Sequence, residues 1–350
     1  RCLRGADQRL TIACESPSGG TTPSSTRSLR SELTCGPVRT AASASMGERM
    51  KIVVTGSSGL IGRPLIAALV GDGHDVVRLV RRKPQNPAEV AWDPAAGMID
   101  TAGLEGVDAA IHLAGVGIGD RRWTSAYKRE ILDSRVNGTS LLASALAGLE
   151  PKPSVMVSAS AIGWYGDRGD EILDETASRG TGFLADVAAA WEDAAEPAEA
   201  AGIRVVHPRS GIVLSRDSLT LRRLLLPVKL AVAGKMGSGG QWWSWVTLDD
   251  EVRALVHLTV GSDLAGPVNV TAPNPVTNAE FISTLGRVLG RPTVLPTPAF
   301  ALKAILGSEL ADTLVLQSGR VVPARLEADG FEFESPVLMD ALRSVLDRAS

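Results

Sequence analysis

Cysteine is scarce in this sequence and absent from residues 46–350, which include the strand and helix patterns of a folded protein. Its three cysteines, Cys2, Cys14 and Cys35, all precede residue 46. The remainder of the chain therefore has no disulfide framework, thiol nucleophile or cysteine metal site. Histidine is sparse too, with four residues in no metal-ligand spacing, and we predict no metal.

The composition also lacks a basic excess and a long apolar run. The net charge is −3, so no basic surface points to nucleic acid. The apolar stretch from Leu221 to Ala233 is short and interrupted by three cations, unlike a membrane span. We therefore expect a cytoplasmic protein, a monomer or homodimer, that binds a small-molecule substrate and neither nucleic acid nor a membrane.

Residues 1–45 lack the apolar periodicity of a folded domain. They contain six Arg and three acidic residues among many Ser and Thr, a composition that resembles an organelle transit peptide. We favour instead upstream sequence, because Met46 or Met50 would place an ordinary start directly before the first strand. Under either interpretation we expect residues 1–49 to be a disordered N-terminal extension. An organelle is the alternative location.

The most informative positive feature is the segment Thr55-Gly-Ser-Ser-Gly-Leu-Ile-Gly62. The apolar run Lys51–Val54 precedes it, and an apolar helical pattern from Pro64 follows. In this strand–turn–helix order, glycines permit a tight turn and close approach of the backbone to a pyrophosphate, and the helix N-terminus attracts phosphate. The segment predicts a dinucleotide site formed by Gly56, Ser57, Ser58, Gly59, Leu60, Ile61 and Gly62.

Strand and helix patterns alternate through residues 50–210, as in the doubly wound parallel Rossmann sheet of the α/β class. The predicted strands are Lys51–Thr55, Asp75–Val80, Ala109–Leu113, Ser154–Ser158 and Arg204–Pro208. The predicted helices between them are Arg63–Gly71, Ser125–Ala147 and Gly182–Ala201. The site should lie at the carboxyl ends of the strands.

A change of pattern after Pro208 indicates a smaller C-terminal domain on the substrate side. We assign residues 211–245 and 274–350 to it, with a helix over Asn278–Leu289 behind the N-cap Thr277. Residues 246–273 return to the Rossmann domain as a strand and a helix capped at Asp249 or Asp250. A chain of 350 residues that is 44% hydrophobic can form such a pair of domains.

The end of the second strand favours NADP(H) as the cofactor. In Rossmann folds an acid about 20 residues past the glycines bonds the ribose of NAD, whereas an arginine accommodates the 2′-phosphate of NADP. Here the strand ends in Arg81-Arg82-Lys83 with no acid. We predict that Arg81, or in second place Arg82, binds the 2′-phosphate, as a guanidinium suits a phosphate. A solvated cationic turn is the alternative.

The glycine spacing resembles that of the extended short-chain dehydrogenase/reductase superfamily. The stretch from Ser158 to Gly166 is similar to the serine segment of its sugar-nucleotide epimerases. That resemblance aligns Ser160 with the catalytic serine, with a strand-end hydroxyl bonded to backbone as the alternative. It further implies that the cofactor is lined by Leu113, Ala114, Gly115, Ser158 and Arg209.

The superfamily's Tyr-x-x-x-Lys pair is missing. Phe183 stands at the tyrosine position, and a phenyl ring has no exchangeable proton. Val187 stands at the lysine position and can neither lower a pKa nor bond the ribose. Of the two tyrosines in the chain, Tyr165 is the surrogate acid/base that we predict, with a structural or substrate-wall role as the alternative. Its ordinary pKa of about 10 would need a positive neighbour to fall.

Several segments narrow the resemblance to the SDR39U-like epimerase family proteins. They are Leu113–Trp123 with Ile131–Arg135, Ser158–Gly166, Gly237–Asp250, Gly266–Phe281, and Gly319–Leu326 with Gly330–Phe333. The resemblance extends from Met50 to the end of the chain and implies NADP(H) binding on an extended Rossmann fold. Trp242, Trp243 and Trp245 would then wall a substrate pocket or pack in the core.

Two functions stay open at this point. The first is an NADP(H)-dependent epimerase or reductase for a small carbonyl or hydroxyl substrate, sugars included, with Ser160 polarising the oxygen and Tyr165 donating the proton. The second is a non-catalytic NADP(H)-binding regulatory protein. Loss of the acid/base pair favours the second function, and the retained serine favours the first.

Overall fold

The structure is a computed structural model in which residues 49–347 are described. The predicted N-terminal extension therefore lies outside the described residues, apart from its last position. Over residues 49–347, none of the helices is long and apolar enough to span a bilayer.

A large, mainly parallel sheet organises the chain. In chain order the strands are β1 Lys51–Val54, β2 Asp75–Val80, β3 Glu89–Asp93, β4 Met98–Ile99, β5 Ala109–His112, β6 Val155–Ser158, β7 Ser160–Ala161, β8 Ile172–Leu173, β9 Arg204–Ser210, β10 Ile212–Leu214, β11 Trp242–Trp243, β12 Trp245–Thr247, β13 Gly266–Val270, β14 Val276–Thr277 and β15 Arg320–Val321. The large sheet has the order β13-β9-β6-β5-β1-β2-β3-β4, with β7 beside β9. Its β3–β4 pair is antiparallel and its other pairs are parallel.

Helices cover both faces of this sheet. In chain order the α-helices are α1 Gly62–Gly71, α2 Ser125–Ala147, α3 Phe183–Asp193, α4 Glu196–Ala200, α5 Leu219–Lys229, α6 Leu248–Val256, α7 Asn278–Leu289, α8 Ala299–Leu306, α9 Ser308–Ala311, α10 Ala324–Ala328 and α11 Leu338–Asp347. Leu65 of α1 and Leu255 of α6 pack with Ile52 on one face, while Leu142 of α2 packs with Val53 on the other. Because successive side chains of a strand point to opposite faces, one short buried strand serves two cores. The predicted doubly wound Rossmann fold is confirmed.

Four strands of the large sheet, β3, β4, β7 and β13, were not predicted from the sequence, and one predicted helix differs from the structure. β3 is polar at both ends, and β4 and β7 have only two residues each, so these strands lack a recognisable strand pattern. β13 begins with Gly266-Pro267, which reads as a turn, yet proline is tolerated because this strand is at the sheet edge. The helix predicted over Gly182–Ala201 is two helices, since α3 ends before Ala194 and α4 begins after Ala195.

The helix caps correct one prediction and confirm another. The Thr247 hydroxyl, rather than Asp249 or Asp250, caps α6 by accepting from the Asp250 amide. The predicted Thr277 cap of α7 is present. Several elements after residue 210, among them α5, α7 and α11, share an apolar cluster that includes Leu221, Trp245, Phe281 and Leu342. The division of the chain into a Rossmann and a substrate-side domain stays a proposal.

Candidate functional site

The glycine loop lies at the carboxyl end of β1, and its geometry requires glycine at two positions. Gly56 has φ +64°, and a Cβ there would lie 2.8 Å from the backbone of Leu113. A Cβ on Gly62 would lie 2.3 Å from the carbonyl oxygen of Gly56, so the loop closes directly on the start of α1. No side chain among residues 49–347 caps that helix at Ile61. Its first amides are therefore suited to the pyrophosphate of a dinucleotide.

Thr55 holds the next strand connection against this loop. Its hydroxyl accepts from the amides of Leu113, 3.0 Å, and Ala114, 3.1 Å, and donates to His112 Nδ1 at 2.8 Å. Burial lowers the pKa of His112 to about 3, with the charge of Arg135 adding to the effect. His112 is thus a neutral, packed strand residue. Leu113, Ala114 and Gly115 lie beside the glycine loop, where a cofactor in that loop would reach them.

The two arginines predicted for the 2′-phosphate differ in their surroundings. Arg82 forms two hydrogen bonds of 2.7 Å to the carboxylate of Glu89 on β3, which Arg78 also contacts at 2.8 Å. The Arg82 bonds lower the pKa of Glu89 to about 2, so this carboxylate is ionised and engaged. Arg81 is exposed and has no ion pair with any described residue. Of the two cations, Arg81 is the one available to a ligand.

Ser160 belongs to a buried polar network that the sequence analysis did not foresee. Its Oγ donates to Glu192 Oε1 at 2.6 Å. Arg209 donates to the same carboxylate through Nε and Nη2, both at 2.8 Å. The side chains of Arg209 and Glu192 are only 2% and 9% exposed. The parallel pairing of β7 with β9 places Ser160 beside Arg209, and α3 brings Glu192 to both.

No local signal in the sequence marked Glu192, which follows Trp191 in an alanine-rich helix. An acid at such a position is ordinarily read as part of a solvent-facing surface. It becomes a site candidate only when the packing of α3 against β7 is known.

Tyr165 is the end of the same network and is fully buried. Its hydroxyl donates to Asn269 Oδ1 at 2.7 Å and accepts from Arg209 Nη1 at 3.1 Å. Arg209 is the positive neighbour that the sequence could not name. Burial nevertheless outweighs that charge and raises the pKa of Tyr165 above its ordinary value. The phenol is therefore protonated at neutral pH with its proton directed to Asn269, and its role as proton donor stays a prediction.

The positions of the missing pair are apolar. The Phe183 ring lies 5.0 Å from that of Trp123, centroid to centroid, and Lys128 Nζ lies 4.4 Å from the Phe183 centroid. Val187 is buried against Ile131 of α2. Ser158 Oγ, at the end of β6, is buried without a hydrogen-bond partner among the described residues, so a donor or acceptor from a ligand would satisfy it.

The segment after Gly115 is covered by helices of the C-terminal region. Arg122 donates to the carbonyls of Ala304 and Ile305, both at 2.7 Å. Arg223 of α5 donates to the carbonyl of Gly119 at 2.8 Å. These bonds tie the loop that borders the glycine segment to α5 and α8.

The three tryptophans considered for the pocket wall are not equivalent. Trp243 and Trp245 are buried in the apolar cluster of the C-terminal region, which accounts for them as packing residues. Trp242 is half-buried, with the guanidinium carbon of Arg320 4.2 Å from its ring centroid. Its indole donates to Asp170 at 2.8 Å.

The arrangement therefore fits a dinucleotide on structural grounds. The amides of residues 56–62 would hold the pyrophosphate, Leu113, Ala114 and Gly115 would line it, and Arg81 would reach the adenosine end. Ser160, held by Glu192, would face a substrate at the carboxyl edge of the sheet.

Known proteins share this organisation. Residues 52–270 match the NAD dependent epimerase/dehydratase family, and residues 297–345 match a domain of unknown function. An epimerase family protein of Mycobacterium leprae is 42% identical over 307 residues, which cover 88% of this chain and 99% of the relative.

Two solved structures are also similar. The human epimerase family protein SDR39U1 (isoform 2), crystallised with NADPH, has a TM-score of 0.76 at 32% identity and covers 85% of this chain and 99% of its own. A nucleoside-diphosphate sugar epimerase from Corynebacterium glutamicum has a TM-score of 0.70 at 36% identity, over 86% of this chain and 59% of its own. The resemblance inferred from the sequence motifs is confirmed. This chain belongs to the NAD-dependent epimerase/dehydratase family, within the extended short-chain dehydrogenase/reductase superfamily.

Proposed function

We propose that this protein is an NADP(H)-dependent epimerase or reductase that acts on a small carbonyl or hydroxyl substrate, with sugars as the leading class. The observation that carries the proposal is the buried Ser160–Glu192–Arg209 network, which belongs to the same parallel sheet as the glycine loop after β1. The NADPH complex of the human relative supports the cofactor, and the name of the Corynebacterium relative supports the substrate class. The cytoplasm is our proposed location, with an organelle as the alternative.

The choice of NADP(H) over NAD(H) rests on Arg81. An exposed guanidinium without a carboxylate partner is free to form bidentate bonds to a 2′-phosphate. Arg82 and Arg78 occupy Glu89, so that carboxylate does not stand free for the ribose hydroxyls of NAD. Both features favour the phosphorylated cofactor.

The network defines what Ser160 can do. When bound, the nicotinamide supplies or accepts a hydride. The single Ser160 proton is directed to Glu192 in the structure, so its oxygen lone pairs are free to accept a hydrogen bond from a substrate hydroxyl. To polarise a carbonyl, Ser160 must instead turn its proton from Glu192 to the substrate. That turn breaks the bond to Glu192, because a carboxylate oxygen accepts a hydrogen bond and has no proton to donate.

The second candidate function is a non-catalytic, NADP(H)-binding regulatory protein. The side chains of Phe183 and Val187 favour it, because they offer no proton and no charge at the positions where related enzymes carry both. The buried serine network favours turnover. Single-turnover measurements separate the two functions, because both of them bind NADP(H).

The cofactor prediction is tested by isothermal titration of NADPH and NADH. We expect wild-type protein to prefer NADPH and R81Q to lose about tenfold in NADPH affinity, with little change for NADH, because the phosphate contact is charge-assisted. R129Q, which removes an exposed arginine of α2, is the matched control. Equal affinity of wild type for the two cofactors would overturn the assignment of Arg81.

Catalysis is tested by single-turnover oxidation of NADPH in a screen of small carbonyl compounds and sugar nucleotides. We expect S160A to slow the step by about 10²-fold or more, the scale of a positioned hydrogen-bond or proton-transfer contribution. Y165F should slow it as well if the phenol donates the proton. Unchanged rates in both variants would remove these residues from the mechanism, and no oxidation of any compound would favour the regulatory function.

A further inference from the structure

Arg135 of α2 is a cation beside Gly115. The proposed mechanism assigns it no role. Its guanidinium carbon lies 3.4 Å from the position that a Cβ would take on Gly115, in the segment that would line the cofactor. Nη1 donates to the backbone carbonyls of Val116, 3.0 Å, and Ile131, 3.1 Å. These bonds fix the guanidinium beside the carboxyl end of β5.

No carboxylate neutralises Arg135 in the part of the chain that the structure describes. The guanidinium carbon also lies 4.8 Å from the centroid of the Trp191 ring. Burial lowers the pKa of Arg135 to about 10, so it is still charged at neutral pH. The residue is half-buried, and a charge partly withdrawn from water is stabilised by a partner. Nε and Nη2, which bond to none of residues 49–347, are the donors left for one.

The position of Arg135 is related to that of the missing lysine. Val187 stands at the lysine position on α3 and packs against Ile131 of α2. Arg135 follows Ile131 by one helical turn, and Trp191 follows Val187 by one turn. The contact between Arg135 and Trp191 therefore lies next to the contact between Ile131 and Val187. Arg135 and the position of the missing lysine are therefore neighbours, although they belong to different helices.

We propose that Arg135 supplies the positive group that Val187 cannot, by binding the ribose on the nicotinamide side of the cofactor through Nε and Nη2. The inference rests on the proposed NADP(H) binding. An arginine suits this task because its planar fork has five donors, of which some can hold backbone carbonyls while others stay free for ribose hydroxyls. Arg135 is thus a cofactor-binding residue, and its high pKa excludes it as a proton donor at neutral pH.

The test is a titration of two ligands that differ in the part Arg135 should contact. NADPH contains both riboses, whereas 2′,5′-ADP contains only the adenosine half. We expect R135Q to bind NADPH about tenfold more weakly and to bind 2′,5′-ADP within about twofold of wild type, as for the loss of a charge-assisted hydrogen bond. R81Q should weaken both ligands. R129Q, which changes an exposed arginine of α2, the helix that also carries Arg135, should weaken neither ligand.

Retained binding of 2′,5′-ADP also shows that R135Q is folded. R135K, which keeps the charge but not the fork, should recover part of the NADPH affinity. Equal weakening of both ligands in R135Q and R135K would show that Arg135 only holds the loop at Val116, and would overturn the inference. Unchanged NADPH affinity would overturn it too. If wild type bound neither ligand, the proposed function would fail first, and this inference with it.

Discussion

At the scale of single residues, Arg209 connects the side chains on which the proposed chemistry depends. It bonds both oxygens of Glu192 and the hydroxyl of Tyr165, and its guanidinium carbon lies 3.9 Å from the Trp164 centroid. A buried pair of this kind costs desolvation, so it contributes little net stability while intact. Removing one partner is different, because it leaves an uncompensated charge inside the protein.

We therefore expect E192Q to lower the free energy of unfolding by about 3 kcal/mol, the lower end for a broken buried pair. Urea unfolding followed by circular dichroism measures it. E130Q is the control, because Glu130 and Arg121 form an exposed pair at 3.6 Å and such pairs contribute little. Equal unfolding free energies for E192Q and wild type would show that Arg209 is stabilised without Glu192.

At the scale of an element, α1 has a glycine at each end, and the two serve different purposes. Gly62 begins the helix where the chain passes Gly56, with no room for a Cβ. Gly71 ends the helix on the surface, and a Cβ there meets no atom within 4 Å. The same substitution should therefore have opposite effects at the two positions.

G62A should abolish measurable NADPH binding and destabilise the protein, because its methyl group would displace the backbone of the phosphate loop. G71A should leave NADPH binding unchanged and stabilise the protein by about 0.5–1 kcal/mol, since alanine reduces the entropy of the unfolded chain. Titration and thermal unfolding of both variants check this. Wild-type NADPH affinity in G62A would contradict the assigned role of the loop.

At the scale of the whole molecule, the buried carboxyl of Glu251 should make stability depend on pH. It is 1% exposed, and burial raises its pKa from 4.5 to about 7, against the hydrogen bond that its Oε1 accepts from Ser210. The folded state thus retains a proton that the unfolded state releases. The stabilisation that the Glu251 carboxyl contributes is fully present below the pKa that it has in the unfolded chain. It is lost as the pH rises through the pKa of the folded state.

Replacing Glu251 with glutamine should remove that dependence. We expect E251Q to exceed wild-type stability by less than about 1 kcal/mol at pH about 5 and by about 3 kcal/mol at pH about 8, from the difference between the two pKa values. Urea midpoints at both pH values measure it. The pKa of Glu89 is lowered to about 2, so the stability change from this group falls below the pH range compared. E105Q, which changes an exposed carboxylate, is the control. A pH-independent difference between E251Q and wild type would contradict the prediction.

The elements that the sequence predicted are those with a strong local pattern. α2 has the predicted bounds, Ser125–Ala147, and its Thr124 cap is local as well. β13 was missed because its first residues resemble a turn, and only its place at the edge of the sheet makes proline acceptable there. The ion pair between Glu89 and Arg82 was not predicted, because Glu89 belongs to the short strand β3. The pairing of β3 with β2 is known only from the structure.

By itself, the sequence determined the Rossmann core, the glycine loop after β1 and the family of this protein. Each is encoded locally, in apolar periodicity, glycine spacing and short motifs that need no knowledge of distant residues. Tertiary structure decided which side chains meet. Ser160 reaches Glu192 across 32 positions, Arg209 reaches Tyr165 across 44, and Tyr165 reaches Asn269 across 104. Such partners are set by the packing of α3 and β13 around β9, and packing joins residues that no sequence interval relates.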